Sequence, residues 1–235
     1  MTLDASTLVS QGFQPPLRWA DFKLAAFDMD STLINIECID EIAAVAGKKA
    51  EVAAITEAAM RGEIKDFRDS LERRLALLRG VPASALQQVL DTRLQFNPGA
   101  ETLMAALRVR GIKTLLVSGG FTFFADYVQA RLQMDFARAN ALEIVDGQLT
   151  GKVLQQSWGD VVDGEEKRRT LLATAATVGA QPAECIAVGD GANDLPMMQA
   201  AGLSVAYHAK PAVRAQAMLA INAGGLDRLL SVFAD

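Results

Sequence analysis

Read for its apolar and polar positions, the chain first settles into a pattern at "KLAAFDM" (Lys23 to Met29), a short apolar run with the length of a buried strand. From Glu37 to about Phe96 the spacing turns helical, in "ECIDEIAAVAG", "AEVAAITEAAMRG", "DFRDSLERRLALLRG" and "PASALQQVLDTRL". Gly47, Gly62 and Gly80 stand where helices end, and Pro82 where the next begins. The stretch predicts a small helical bundle inserted after the first strand. At "NPGA" (Asn97 to Ala100) the pattern changes again. A helix through Arg110 leads to the run "GIKTLLVSGG", then to a helix from Phe121 to Leu132. "LEIVDGQLTGKV" predicts a hairpin turning at Asp146-Gly147. A helix follows from about Glu165, and "ECIAVGDGANDLPMMQAAGLSVAY" reads as strand, loop, helix, strand.

Apolar strands alternating with helices of this length predict an α/β fold: a Rossmann-like parallel sheet with helices on both faces. The expected core is residues 21–36 and 97–235, with residues 37–96 as an inserted helical cap. Residues 1–20, with Pro15-Pro16, read as a loosely held arm.

Composition narrows the function classes. At 235 residues, 51% hydrophobic and 22% charged, the chain has material for a substantial core. A net charge of -5 argues against nucleic acid or an anionic membrane as partner, but not against a small phosphorylated molecule. Cys38 and Cys185 stand far apart in no metal-ligand spacing, which reads as reduced thiols in a reducing compartment. The first residues lack the basic-then-apolar order of a signal peptide. No apolar run reaches the roughly 18 to 20 residues of a membrane span. The expectation is a soluble cytoplasmic protein. His208 is the sole histidine and reads as structural, which argues against histidine-based phosphatase chemistry or a zinc site.

Three apolar runs end in polar residues: "AAFDMDST", "TLLVSGG" and "IAVGDGAND". Ligands of an open parallel sheet bind beyond the carboxyl ends of its strands, so neighbouring strands would bring these tails to one edge. Together they supply Asp28, Asp30, Asp190 and Asp194, the Ser118 hydroxyl, the Asn193 amide and several glycines. Bare carboxylates at the edge of a core need compensation. The set fits metal-assisted phosphoryl transfer, since Mg²⁺ takes one or two carboxylates with waters and a phosphate. Asp28 and Asp190 suit the metal, and an aspartate can attack phosphorus to give an acyl-phosphate that water then hydrolyses. In extended backbone Asp30 falls on the same side as Asp28, and a carboxyl beside another carboxylate can hold a proton at neutral pH. Ser118, the Gly119-Gly120 amides and Lys167 suit the non-bridging phosphoryl oxygens.

"DMDST", then "SGG", a downstream lysine and "GDGAND" resemble the haloacid dehalogenase superfamily of aspartate-nucleophile phosphohydrolases, and within it the branch that acts on phosphoserine. The resemblance runs from about Phe27 to Ala223 and takes in "ECIDEIA", "MRGE", "SLERRLAL", "SGGF" and "VAYHAKP". It implies the fold of that superfamily and the last step of serine synthesis. Asp28 would be the nucleophile and Asp30 the general acid/base. Mg²⁺ would be held by Asp28, the Asp30 carbonyl and Asp190. Ser118, Gly119 and Lys167 would bind the phosphoryl group, with Asp194 orienting the metal waters or Lys167. In the cap, a lid over the site, Glu37 would meet the substrate ammonium and Arg74 its carboxylate, with Arg73 as the alternative. Met60 and Phe67 would be apolar lid contacts and Asn193 a polar one. The lid would open and close on hinges near Ile34 to Glu37 and Phe96 to Gly99. The N-terminal arm would leave no room for the regulatory domain that many members carry.

Blander roles exist for several of these residues. Glu37 lies where a carboxylate favours a helix N-terminus in any case. Ser118-Gly119-Gly120 would serve as a strand-to-helix turn, and one of Arg73 and Arg74 would be a solvated surface charge. Another small phosphomonoester such as phosphothreonine or phosphohomoserine, transfer to another alcohol, and a non-catalytic binding protein stand as alternatives to phosphoserine hydrolysis.

Overall fold

The computed structural model describes residues 8–60, 63–64, 66–159 and 161–234, with the backbone alone at 59 and 60. Strands β1 (Leu8–Ser10), β2 (Leu17–Arg18) and β3 (Leu24–Phe27) precede four helices, α1 (Cys38–Val45), α2 (Lys49–Met60), α3 (Phe67–Leu77) and α4 (Ser84–Thr92). Then come α5 (Ala100–Val109), β4 (Lys113–Phe121), α6 (Thr122–Leu132), β5 (Phe136–Val145), β6 (Gln148–Leu154) and α7 (Gly164–Thr177). The chain closes with β7 (Cys185–Gly189), α8 (Leu195–Ala200), β8 (Leu203–Tyr207), α9 (Pro211–Arg214), β9 (Leu219–Ile221) and β10 (Phe233–Ala234).

One sheet of eight strands runs in the order β1-β9-β8-β7-β3-β4-β5-β6. It is parallel from β9 to β5, with β1 and β6 antiparallel at its edges. The apolar run at Lys23 is its centre: β3 pairs with β4 on one side and β7 on the other, and all four of its residues are fully buried. Period 2 sends them into two cores. Ala25 and Phe27 enter the layer with α1, α4, α5 and α6, and Leu24 and Ala26 the layer with α7, α8 and α9. A strand buried on both faces reads as a continuous apolar run for this reason.

Helices α1 to α4 pack on one another between β3 and β4. The two segments that lead into and out of them run side by side, with Ile34 bridged to Phe96, Asn35 N–H donating to Gln95 O at 3.0 Å and Asn97 N–H to Leu33 O at 2.9 Å. A third link runs to the β5–β6 hairpin. Gly80 N–H donates to Leu149 O (2.8 Å), Leu149 N–H to Val81 O (2.9 Å) and Ala83 N–H to Gly147 O (2.8 Å). The hairpin turns where expected, with Asp146 at φ 50° and Gly147 at φ 74°.

The N-terminal segment is not loosely held from Leu8 onward. β1 pairs antiparallel with β9, and β2 parallel with β10. Leu8 is buried, and β1 takes up the backbone groups that β9 would otherwise expose at the sheet edge. Among the described residues no helix is long and apolar enough to cross a membrane.

Candidate active site

The strand order makes β3, β4 and β7 neighbours, so Asp28, Ser118 and Asp190 meet at one carboxyl edge. The Asp28 N–H extends the ladder one residue past β3, donating to Val188 O at 3.0 Å. Lys167 reaches this edge from α7. Its side chain has no exposure, and its Nζ lies 2.7 Å from Asp28 Oδ1 and 2.6 Å from Asp194 Oδ1. Asp194 Oδ2 accepts from the Asp190 and Gly191 N–H groups at 3.1 and 3.0 Å. Gly189 must be glycine here, because a Cβ would lie 2.4 Å from the Asp194 carboxyl. Asp194 therefore ties the β7 loop to Lys167, the orienting role open to it from sequence.

Asp28, Asp190 and Asp194 offer oxygens within 4.8 Å of one another. Burial, then the charge of Asp194, lifts Asp28 well above the usual carboxylate range. Burial and Asp194 likewise push Asp190 up to about 7. Burial opposes the charge on Lys167, but Asp194 and Asp28 outweigh it and hold the ammonium more firmly protonated than an ordinary lysine. Three buried or half-buried carboxylates against one ammonium leave excess negative charge. That excess and the oxygen-only donor set suit a hard divalent cation.

Beyond Asp28 the chain turns sharply at Ser31, whose φ is 56°. Asn97 fixes the turn from outside: its Nδ2 donates to the carbonyls of Thr32 at 2.8 Å and Ile34 at 3.0 Å. The Asp30 carboxylate accepts from the Cys38 N–H and the Cys38 thiol, both at 3.1 Å. Burial, then Glu37, pushes Asp30 up to about 7, the range for exchanging a proton near neutral pH. At the end of β4, Ser118 Oγ accepts from Gly120 N–H at 2.9 Å. A Cβ on Gly119 would lie 2.9 Å from the Phe67 ring, and one on Gly120 3.2 Å from Asp30 Oδ2. The fully buried Asn140 holds this turn by donating to Gly119 O (2.7 Å) and accepting from Val162 N–H (2.8 Å).

A cavity of about 360 Å³ lies between the strand ends and the inserted helices α1, α2 and α3. Asp28, Asp30, Ser118, Gly119, Asp190 and Asn193 line it from the sheet. Glu37, Phe67 and Arg74 line it from the helices. Lys167 and Asp194 stand behind this wall. Glu37 precedes α1 as its N-terminal cap residue, and Ser31 Oγ donates to its Oε1 at 2.6 Å; burial still raises its carboxyl. The two arginines lie in different places. Arg73 is bound to Asp69 on the exposed face at 2.7 and 2.9 Å, whereas Arg74 points into the cavity, its Nε donating to Ser70 O at 3.2 Å. The Met60 side chain lies outside what the structure describes. His208 Nε2 sits 2.8 Å from Gly224 O, away from the cavity.

Several residues at the site carried no role from sequence. Asn97, Asn140 and Cys38 hold its loops, and Asp40, Thr56 and Lys210 line the cavity. Asp40 had a signal, since it lies one helical turn after Glu37 and shares its face. Asn97, Asn140 and Lys210 had none, because their partners are distant in sequence.

Residues 22–202 match the family described as a hydrolase, haloacid dehalogenase-like hydrolase. The chain is 61% identical over 232 residues to a phosphoserine phosphatase of Albidiferax ferrireducens, covering 99% of this chain and 98% of that one. It is 63% identical over 218 residues to a phosphoserine phosphatase of a Polaromonas species, covering 93% and 92%. A solved phosphoserine phosphatase with a phospho-aspartyl intermediate analogue superposes with a TM-score of 0.83 at 38% identity, over 91% of this chain and 99% of that one. The chain belongs to the haloacid dehalogenase-like hydrolases, in their phosphoserine phosphatase branch.

Proposed function

We propose that this chain hydrolyses O-phospho-L-serine to L-serine and inorganic phosphate, with Mg²⁺ bound and Asp28 as nucleophile. The observation that carries this reading is one cavity with Asp28, Asp30 and Asp190 on one wall and Glu37 and Arg74 on the other. Such a cavity matches a molecule with a phosphate at one end and an ammonium and a carboxylate at the other. The relatives named for phosphoserine hydrolysis, at up to 63% identity, support the same substrate.

Asp28 and Asp190, with the Asp30 carbonyl, would hold Mg²⁺. The excess of carboxylates over ammonium groups there supports the assignment. Bound, the ion would offset phosphate charge and align the phosphorus with Asp28. A carboxylate oxygen of Asp28 attacks phosphorus, and the bond from phosphorus to the serine oxygen breaks. Asp30, protonated near neutral pH, gives its proton to that oxygen, releasing serine. Asp30 then takes a proton from water as the water oxygen attacks phosphorus, the bond to Asp28 breaks, and phosphate leaves. Ser118, the Gly119 backbone and Lys167 stabilise the phosphoryl oxygens as charge moves onto them.

In the cap, residues 37–96, Arg74 reads the substrate carboxylate and Glu37 the ammonium. Phe67 supplies apolar contact, and Asn193 a polar contact from the core of residues 21–36 and 97–235. The cap acts as a lid that excludes water during attack by Asp28. The buried free thiols of Cys38 and Cys185 suit a reducing compartment such as the cytoplasm.

Phosphate release from O-phospho-L-serine, with Mg²⁺ and with EDTA, tests the reading beside phosphothreonine and an aryl phosphate. The expected result is metal-dependent release strongest with phosphoserine and lost in Asp28→Asn. Release only from the other esters would keep the chemistry and discard the substrate. Full activity in Asp28→Asn would discard the mechanism.

A further inference from the structure

Two opposite charges face one another inside the cap without meeting. Asp40, on α1, lines the cavity, and its Oδ1 is buried with no hydrogen-bond partner. Arg74, on α3, lines the same cavity, and among the described residues its only bound partner is the Ser70 carbonyl on Nε. Of the carboxylates around Arg74, Asp40 acts on it most strongly, ahead of Glu37 and Asp30. Reciprocally, Arg74 is the strongest charge acting on Asp40, ahead of Lys49 and Glu41.

Neither group is at rest in this arrangement. Burial lowers the affinity of Arg74 for its proton, so its charge has lost water without gaining an ion pair. A buried acceptor with no donor carries the same kind of cost. Glu37 is already engaged by the Ser31 hydroxyl, whereas Asp40 Oδ1 is uncommitted. A guanidinium is a planar fork with five N–H donors, so it can present one edge to a bound carboxylate while another edge faces Asp40.

We propose that Asp40 is a positioning residue for Arg74: when the substrate carboxylate meets one edge of the guanidinium, Asp40 takes another and fixes its orientation. This rests on the reading of Arg74 as the carboxylate reader. Asp40 has no direct part in phosphorus chemistry, and its loss is felt at the amino-acid end of the substrate alone.

The test compares O-phospho-L-serine with O-phosphoethanolamine, which keeps the phosphate and the ammonium and lacks the carboxylate. Apparent affinity is read as KM, or as Ki in competition, neither of which depends on the fraction of protein that is folded. Asp40→Asn is nearly isosteric. It should weaken affinity for phosphoserine on the order of tenfold to a hundredfold, the range of a hydrogen bond to a charged group, and leave that for phosphoethanolamine unchanged. Asp40→Glu, which restores the charge, should recover part of the loss. In an Arg74→Ala background, Asp40→Asn should add nothing further. An equal loss on both substrates, or the full loss repeated in the Arg74→Ala background, overturns the inference. If Arg74→Ala itself fails to distinguish the two substrates, the carboxylate reading falls and the inference with it. If Arg74→Ala distinguishes them and Asp40→Asn does not, only the role of Asp40 falls.

Discussion

Lys167 Nζ stands 2.7 Å from Asp28 Oδ1, and no part of the lysine side chain reaches solvent. A second carboxylate, Asp194, meets the same ammonium at 2.6 Å. Removing the lysine leaves two buried carboxylates facing each other without a cation. Lys167→Ala should destabilise the fold by about 3–5 kcal/mol, as expected for breaking a buried pair. It should also lower kcat by on the order of a hundredfold or more, since a phosphoryl-stabilising charge is lost. Urea melts and phosphate release check the two effects; wild-type turnover would remove Lys167 from the chemistry.

The metal-free protein should have an inverted pH dependence near neutrality. Asp30 and Asp190 sit at about 7, each lifted first by burial, then by Glu37 and by Asp194 respectively. Unfolded, they titrate at about 3.9. A carboxyl whose folded value exceeds its unfolded value binds its proton more tightly when folded. Its contribution is full below about 4 and fades as pH rises through about 7. In EDTA, stability should therefore fall between about pH 5 and 8. Mg²⁺ should stabilise more at the upper end of that window, where it no longer competes with a proton at Asp190. Chemical melts across the window, with and without Mg²⁺, decide it; a metal-free midpoint that rises with pH would contradict the assignment.

Much of this site could be read from the chain because its chemistry sits on strand ends. Phe27 leads into Asp28, Val117 into Ser118 and Gly189 into Asp190, and a buried parallel strand announces itself as an apolar run. Lys167 was harder to place beside Arg168 and Arg169. The structure pairs Arg168 with Glu165 in solvent, and the exposed Arg169 with the buried Glu166. Helical period was the available signal, since Lys167, Leu171 and Ala175 form one buried stripe. The N-terminal edge strand was illegible: "LVS" is too short to show alternation, and it is fixed by β9, which lies more than 200 residues away. The same holds for Asn97 and Asn140, whose partners are backbone groups of loops elsewhere.

Arg73 and Arg74 are neighbours in sequence and should differ sharply in effect. Arg73 forms an exposed pair with Asp69, so Arg73→Ala should leave both KM and the melting midpoint unchanged. Arg74→Ala should raise KM for phosphoserine on the order of a hundredfold, through loss of a charge-assisted contact to the carboxylate. Arg74→Lys should recover little of it, because an ammonium cannot present the planar fork. Steady-state kinetics of the three variants check this; matching effects at the two positions would place the reader elsewhere.

The β5–β6 hairpin gives a way to perturb the cap from outside the cavity. Gly151 in β6 has φ +80°, and a Cβ there would lie 3.0 Å from the Leu75 carbonyl and 3.2 Å from Arg79 Cβ, both on the α3 side. The contact is with backbone next to Arg74, so it cannot be relieved by a side-chain rotation alone. Gly179, just past α7, has a similar φ of +68°, but a Cβ there would meet nothing within 4 Å. Both Gly151→Ala and Gly179→Ala should lose about 1–2 kcal/mol from the left-handed backbone. Only Gly151→Ala should also raise KM for phosphoserine, because the hairpin must push α3, and Arg74 with it, to make room. Melting curves with parallel kinetics separate strain from displacement. A KM that moves in both variants, or in neither, would show that the hairpin does not set the position of the cap helix.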